Sequence, residues 1–244
     1  MNNIVILFKR ELKAYFATPL AYVFIVIFLV LSGIFTFYLG NFYERNQADL
    51  NSFFIFHPWL YLFLIPAIAM RVWADERKTG TIELLFTLPI TMGQAVLAKY
   101  LAAWAFVAIA LGLTFPIWLT VNYLGNPDNG VILAAYVGSL LMAGCYLAIG
   151  VCISALTKSQ VIAFIVGLTV CFLFTMSGFP LVLDFFRGWL PGVLVDMVAS
   201  LSVLTHFQAI SRGVLDLRDV VYFIVMIVAW LYACAIFIDM KKAD

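Results

Sequence analysis

Six apolar runs, each long enough to cross a bilayer, constrain this chain more than any other feature of its sequence. A transmembrane α-helix needs about 20 consecutive, mostly apolar residues to span the ~30 Å hydrocarbon core. No Asp, Glu, Lys or Arg lies within any of the six runs. The pattern therefore predicts six membrane-spanning helices, at residues 20–40, 52–70, 100–123, 131–156, 160–183 and 220–238.

The composition agrees with a membrane protein that has little soluble mass. Of 244 residues, 65% are hydrophobic and 11% are charged, whereas a soluble domain carries roughly 25% charged residues. We therefore expect an all-α integral membrane protein with a single transmembrane domain over residues 1–244. The formal charge of +1 and the lack of a basic stripe with interleaved aromatics argue against a nucleic-acid partner.

No enzymatic, cofactor or metal site can be assembled from the sequence. There is no phosphate-binding GxxxxGK[ST] loop, and no nucleophile with a nearby base. The four cysteines lie in apolar runs without CxxC spacing, so we interpret them as small packing residues. His206 has no visible companions for a metal site, and we predict a hydrogen-bonded histidine at the membrane interface.

The N-terminal segment has the pattern of an amphipathic helix. Apolar residues recur at helical spacing over residues 1–17, while Lys9, Arg10 and Lys13 occupy the other side. We predict a helix in the membrane interface that ends at Thr18-Pro19. A secretory signal is the alternative, but the apolar run that follows is long and lacks a small-x-small cleavage site.

Residues 71–94, RVWADERKTGTIELLFTLPITMGQ, hold the densest charge in the chain and separate two spans. They must therefore lie in water at one membrane face. We expect residues 75–78 to form a polar elbow, Gly80 to break the chain and Thr81 to cap a helix over 82–88. A helix of about two turns is unstable alone in water, so it needs a lipid or protein surface to lie on.

Lys and Arg are distributed unequally between the two faces. One face holds Arg45, Arg187, Arg212 and Arg218, and the remaining ten of the fourteen basic residues lie on the face of the termini and the 71–94 loop. Because basic loops stay in the cytoplasm, we predict that both termini and this loop are cytoplasmic. In a bacterium the membrane is then the inner one.

Two further segments carry weaker signals. Residues 184–219 precede the last span and are expected to form interfacial or partly inserted helices on the outer face, one of them opened by Pro191. Small residues recur along the fourth span, which allows close helix approach. Packing within the chain and a dimer seam both explain this stripe, formed by Ser139, Ala143, Gly144, Ala148 and Cys152.

The absence of charge within the spans bears on function. Ion-coupled transporters usually keep ionisable residues in the membrane to carry the coupling, and no internal repeat supports an inverted-repeat transporter. If the chain moves a substrate, the energy is expected to enter from outside the membrane, through the 71–94 loop.

Three stretches carry a resemblance to a known family. They are FKRELKAYFATPLAYV near the start, RVWADERKTGTIELLFTLPITMGQAVLAKYLAA after the second span, and HFQAISRGVLDLRDVVYF before the last span. With six spans in the matching order, the chain resembles the permease subunits of ABC-2 type exporters over essentially its whole length. More narrowly, it resembles the gliding-motility permeases of the GldF type.

The resemblance implies roles for three segments: a connecting helix at residues 1–19, a coupling helix within 71–94 that docks on a separate ATPase, and outer-face helices within 184–219. The residues that it places at the ATPase contact are Asp75, Glu76, Arg77, Lys78, Thr79, Gly80, Thr81 and Glu83, with Lys9, Arg10, Glu11 and Lys13 in the connecting helix.

The resemblance also implies a non-catalytic permease that forms a homodimer, and this dimer binds two copies of a cytoplasmic ATP-binding subunit. ATP and Mg²⁺ would then be bound by that partner, and a periplasmic auxiliary protein is allowed. Two alternatives stay open at this point. One is a conformational transmitter that works on envelope machinery and moves no substrate; the other is a channel or scaffold without an ATPase.

Overall fold

The computed structural model describes residues 3–86, 90–187 and 191–240 of the chain. Over these ranges the backbone forms helices and no β-strand, which confirms the predicted all-α fold. Helices follow the apolar runs because a backbone in lipid has to satisfy its hydrogen bonds within its own segment.

The helices of the first half are α1 (Asn3–Ala17), α2 (Pro19–Ile34), α3 (Asn51–Phe54), α4 (His57–Ala69), α5 (Arg71–Thr79), α6 (Thr81–Phe86) and α7 (Met92–Gly112). The last turn of α2 widens into a π-helix at Phe35–Leu39. α7 begins earlier than the predicted third span because Thr91 and Gln94 form a reciprocal capping box at its first turn.

The helices of the second half are α8 (Phe115–Leu124), α9 (Asn129–Leu156), α10 (Gln160–Met176), α11 (Pro180–Arg187), α12 (Gly192–Ser200), α13 (Val203–Ser211) and α14 (Leu217–Met240). The side chain of Asp128 caps α9 and accepts hydrogen bonds from the backbone of Gly130 and Val131. Ser159 and Ser202 cap α10 and α13 in the same way.

Five helical stretches in the described ranges are long and apolar enough to cross a membrane, and a sixth is added if α12 and α13, bent by 65°, form one broken span. The five are Pro19–Leu39, Asn51–Thr79, Met92–Leu124, Asn129–Leu156 and Leu217–Met240. They confirm five of the predicted apolar runs as membrane-length helices.

The run at residues 160–183 differs from its prediction as one span. The helix ends at Met176, after 17 residues, and a turn at Ser177 and Gly178 separates it from α11. Pro180 explains the end, since a proline disfavours helical backbone at the residue before it. At 1.5 Å per residue α10 is about 25 Å long, somewhat less than a typical hydrocarbon core.

α9 is the central helix of the bundle and packs against α4, α5, α7, α10, α13 and α14. Its small residues permit this: a Cβ added at Gly150 would lie 2.5 Å from the Cβ of Ala69 on α4. The predicted stripe of small residues on this helix is buried within the single chain. Packing inside the chain therefore explains the stripe.

Candidate coupling site at the basic end of the bundle

α1 lies along α7 at the end of the bundle that also carries α5 and α6, here called the basic end. Leu7 is buried. The ring of Tyr15 stacks on Phe106 of α7 with 5.3 Å between centroids, and the ring of Phe16 contacts Phe106 edge to face at 5.7 Å. Lys9, Arg10 and Lys13 are exposed on the opposite side. The helix predicted for the N-terminal segment is confirmed over Asn3–Ala17, and apolar side chains of it pack on the bundle; its place in the membrane interface stays a prediction.

The predicted polar elbow at residues 75–78 is wrong: these residues form the second half of α5. The chain passes from α4 to α5 with a break only at Met70, and Ser154 of α9 holds this junction. Its hydroxyl accepts hydrogen bonds from the backbone N–H groups of Trp73 and Ala74, both at 3.1 Å, and donates to the Met70 carbonyl at 2.9 Å. One buried hydroxyl thus satisfies the free N–H groups at the start of a helix.

A buried ionic cluster joins three helices beside this junction. Lys99 of α7 is only 4% exposed, and its Nζ lies 3.2 Å from Glu11 Oε2 on α1 and 2.7 Å from Glu76 Oε1 on α5. The ammonium group also lies over the Trp73 ring, 5.3 Å from its centroid. We name Glu11, Glu76 and Lys99 the ionic cluster; it connects α1, α5 and α7 at one point.

The electrostatics at Glu11 favour its ionised form. Burial raises the pKa of Glu11, but the charge of Lys99 and hydrogen bonds from Arg10 and Lys99 outweigh this effect, so its pKa lies below the usual value. Removing the Lys99 cation would take the paired ammonium from Glu76 and leave Glu11 with the exposed Arg10 as its cationic partner, which costs more than the loss of an exposed pair.

Two further charged side chains of α5, Asp75 and Arg77, also contact the bundle. Asp75 pairs with Arg71 at 3.1 Å and accepts a hydrogen bond from the side chain of Gln160 on α10. Arg77 donates to the Ala155 carbonyl at the end of α9. The base of the 71–94 loop is therefore attached to α7, α9 and α10, in addition to α1.

The tip of the loop, Lys78 to Glu83, lies outside these contacts. Lys78, Thr79, Gly80, Thr81 and Glu83 are all exposed. Gly80 has φ +76°, a left-handed conformation that ends α5 and that glycine adopts without strain, so the predicted break is confirmed. α6 follows directly at Thr81, and the last part of the predicted helix 82–88, residues 87 and 88, lies outside the described residues.

The structure thus divides the predicted contact residues into two groups. Asp75, Glu76, Arg77 and Glu11 hold the short helices onto the bundle. The exposed group consists of Lys78, Thr79, Gly80, Thr81, Glu83, Lys9, Arg10 and Lys13. The sequence did not predict three further residues of this site, Lys99, Ser154 and Gln160. Lys99 could have been found, because a single charge at the start of an apolar run needs a partner.

At the opposite end of the bundle, His206 is hydrogen-bonded as predicted. Its Nδ1 lies 2.6 Å from Asp219 Oδ1 and its Nε2 lies 3.0 Å from the Ser200 carbonyl. The ring stacks on Tyr222 with 4.0 Å between centroids. Within residues 3–86, 90–187 and 191–240, no group of His, Cys, Asp and Glu side chains could hold a metal ion.

These features define a class: a multi-pass, all-α membrane protein whose short helices, anchored at one end of the bundle, present an exposed polar tip. The family model described as "ABC-2 family transporter protein" matches residues 6–238. The chain belongs to the ABC-2 transporter family, as a membrane permease component, and membership implies an ATP-binding partner subunit. A search of curated proteins finds none that matches the chain.

Proposed function

We propose that the chain is the permease subunit of an ABC-2 type exporter and that a separate ATPase drives it through the 71–94 loop. Two copies of the permease would pair, and each would bind one ATPase at its basic end. ATP and Mg²⁺ belong to that partner. The narrower likeness to the gliding-motility permeases of the GldF type forms part of this proposal.

The observation that carries the proposal is the contrast between the tip and the base of the loop. Five exposed residues form the tip from Lys78 to Glu83. The charged residues just before it on α5, Asp75, Glu76 and Arg77, are bonded to other helices of the bundle. An exposed tip on an anchored base can bind a partner and pass on its movement. A loop that only capped a span would not require such an anchor.

The contacts of α5 also supply a route for that movement. A push on the tip reaches α1 and α7 through the ionic cluster, and it reaches α9 through Ser154. Since α9 packs against most of the other helices, a tilt of α5 would be shared by the bundle. Closure of two ATPase subunits on bound ATP would supply the push.

The orientation of the chain belongs to the same proposal, because the ATPase is cytoplasmic. The basic end, with both termini, would face the cytoplasm of a bacterial cell across the inner membrane. Two single cysteines test this placement in a background without native cysteines: Thr79→Cys at the tip and Asn46→Cys at the opposite end. They should be labelled from opposite faces, and labelling of Thr79→Cys from outside intact cells would contradict the orientation.

The spans suggest what kind of substrate such a permease takes. Their lack of charge leaves a small polar solute without partners to replace its water, at a cost of several kcal/mol per group. We therefore propose a pathway between two copies of the chain, for an amphipathic or lipid-like substrate. The same feature favours a second candidate, a transmitter that acts on a periplasmic or envelope partner and moves no substrate.

Co-purification tests the central part of the proposal. The permease is co-expressed with a candidate ABC ATPase, sought by its Walker motifs in the neighbouring reading frames, and the tip is changed to Lys78→Glu with Glu83→Lys. These exposed residues have no part in the anchor, so the permease should still reach the membrane while the ATPase is lost. Glu44→Lys, an exposed change at the opposite end, is the matched control.

Glu76 is unsuited to this experiment, because reversing its charge would break the ionic cluster as well as any docking contact. Retention of the ATPase by the doubly reversed tip would contradict the docking site. If no ATPase co-purifies with the unmodified chain, the channel or scaffold alternative gains. ATPase activity in nanodiscs separates the two candidates: stimulation by amphiphiles supports export, and stimulation only by a periplasmic protein supports the transmitter.

A further inference from the structure

A cavity of about 250 Å³ adjoins the ionic cluster, between α1, α2, the α4–α5 junction and α7. One part of its wall is charged and contains Glu11, Arg71, Asp75, Glu76 and Lys99. The other part is apolar and runs along α2 and α4 towards the middle of the bundle. The cavity is therefore amphipathic, with its charged part at the basic end.

The apolar part continues as a narrower groove. A second, much smaller cavity of about 20 Å³, lined by apolar and aromatic residues of α2, α4 and α7, shares Phe24, Ile68 and Phe106 with the first and reaches Ala110. From Lys99 to Ala110 the rise along α7 is about 16 Å, which is close to half of the ~30 Å hydrocarbon core. The two cavities together thus follow α7 over a length comparable to one leaflet of a bilayer.

The charged part of the cavity offers a ligand both a hydrogen-bond acceptor and hydrogen-bond donors. Oε2 of Glu76 is buried and has no hydrogen-bond partner among the described residues. Arg71 contacts Asp75 through its Nε, so its terminal nitrogens are not used in that contact and can donate to a ligand. Arg10 contacts Glu11 without lining the cavity. A ligand that fits needs an N–H donor for the carboxylate and an anionic oxygen for the guanidinium.

We propose that this cavity binds a phospholipid with an amine headgroup, such as phosphatidylethanolamine, from the leaflet at the basic end. The headgroup ammonium would donate to Glu76 and the phosphate would accept from Arg71, as guanidinium groups commonly bind phosphate. One acyl chain would follow the groove along α7. The lipid would then lie where α1, α2 and α5 meet, independently of whether an ATPase is bound.

The test is lipid-dependent stabilisation of the full-length permease in detergent, titrated with phosphatidylethanolamine, phosphatidylcholine or phosphatidylglycerol. Phosphatidylcholine keeps the positive charge but has no N–H donor, and phosphatidylglycerol lacks the cation. We expect phosphatidylethanolamine to reach half-saturation at a concentration at least about tenfold lower than the other two lipids. A tenfold difference in affinity corresponds to the free energy of one charge-assisted hydrogen bond. Equal stabilisation by phosphatidylcholine would overturn the proposal.

Substitutions distinguish recognition of the lipid headgroup from binding of its acyl chain. Arg71→Gln should raise the half-saturating concentration of phosphatidylethanolamine about tenfold, and Ala67→Phe, which fills the apolar part, should abolish the effect while leaving the ionic cluster intact. Ile165→Phe, on the exposed face of α10, is the matched control and should bind as the unmodified chain does. Soluble glycerophosphoethanolamine at the same concentration should not stabilise; if it does, or if Ala67→Phe binds normally, the lipid site is refuted.

Discussion

The two ends of the bundle are held together by different kinds of polar contact. At the basic end, the hydrogen bonds of α5 to Ser154, Ala155 and Gln160 join residues 78 to 85 positions apart. At the opposite end, His206 bonds residues 6 and 13 positions away, and Tyr222 bonds Leu201, 21 positions away. The first set connects helices that are remote in the sequence, whereas the second connects α12, α13 and α14, which follow one another in the sequence.

This difference has a mechanical consequence. A displacement of α5 at the basic end is shared at once with α1, α7, α9 and α10, because each is bonded to it or to the ionic cluster. A displacement of α13 at the opposite end is passed to α9, α10 and α14 by packing contacts, while the hydrogen bonds of His206 and Tyr222 join only α12, α13 and α14 to one another. The basic end is thus suited to receive a force, and the opposite end to adjust locally when the spans tilt.

Breaking the ionic cluster should have the largest effect on this contrast. Lys99→Met keeps the length of the side chain but takes the ammonium from the partly buried Glu76 and leaves Glu11 with the exposed Arg10 as its cationic partner, so we expect a loss of about 3–5 kcal/mol in the free energy of unfolding. Denaturation in mixed detergent micelles measures it. Lys9→Met, an exposed control on α1, should change stability by less than about 0.5 kcal/mol.

The same experiment has a compensating arm. Adding Glu11→Gln and Glu76→Gln to Lys99→Met removes both carboxylate charges, so most of the loss should be recovered. If Lys99→Met is no more destabilising than Lys9→Met, the buried cluster contributes nothing to the basic end and the contrast between the two ends fails.

Removing the hydroxyl that ties α5 to α9 should have the next largest effect. Ser154→Ala leaves the N–H groups of Trp73 and Ala74 without their acceptor in a buried site, at a cost of about 1–3 kcal/mol. Hydrogen exchange should show the added opening at the start of α5. Ser200→Ala is the control, because the exposed Ser200 hydroxyl bonds a carbonyl of its own helix. If both changes have the same effect, the Ser154 hydroxyl does not hold α5 on α9.

At the opposite end, a substitution at His206 should cost less. His206→Phe keeps a ring that can stack on Tyr222 but loses two hydrogen bonds, for which we expect about 1–2 kcal/mol. The loss should be confined to α12, α13 and the start of α14 in a hydrogen-exchange map. Gln208→Leu, an exposed neighbour, serves as control; increased exchange at α5 in His206→Phe would show that the two ends are coupled after all.

The smallest expected effect is a pH dependence at the basic end. Because the pKa of Glu11 is lowered in the folded chain, its contribution to stability is complete above the ordinary value of 4.5 and is lost as the pH falls through the lower folded value. The difference in stability between the unmodified chain and Glu11→Gln should be constant near neutral pH and shrink below about pH 4.5. A difference that grows on acidification would contradict the ionised cluster.

The sequence was sufficient for what depends on local pattern. Apolar runs predicted the spans, helical spacing predicted α1, and Gly80 marked the end of α5. It was insufficient where a side chain finds its partner far along the chain. The charges of residues 75–78 predict a polar elbow in water, yet Glu76 contacts Lys99 and Asp75 contacts Gln160 once the helices have packed.

The most direct test of the account is to ask which end of the permease touches the ATPase. A photo-crosslinking amino acid is placed at Thr79 on the exposed tip or at Asn46 at the opposite end, in the complete complex with its ATPase. If the exposed tip is the docking site, position 79 should crosslink to the ATPase and position 46 should not. An intact complex that crosslinks from position 46, or from neither position, would contradict this docking site.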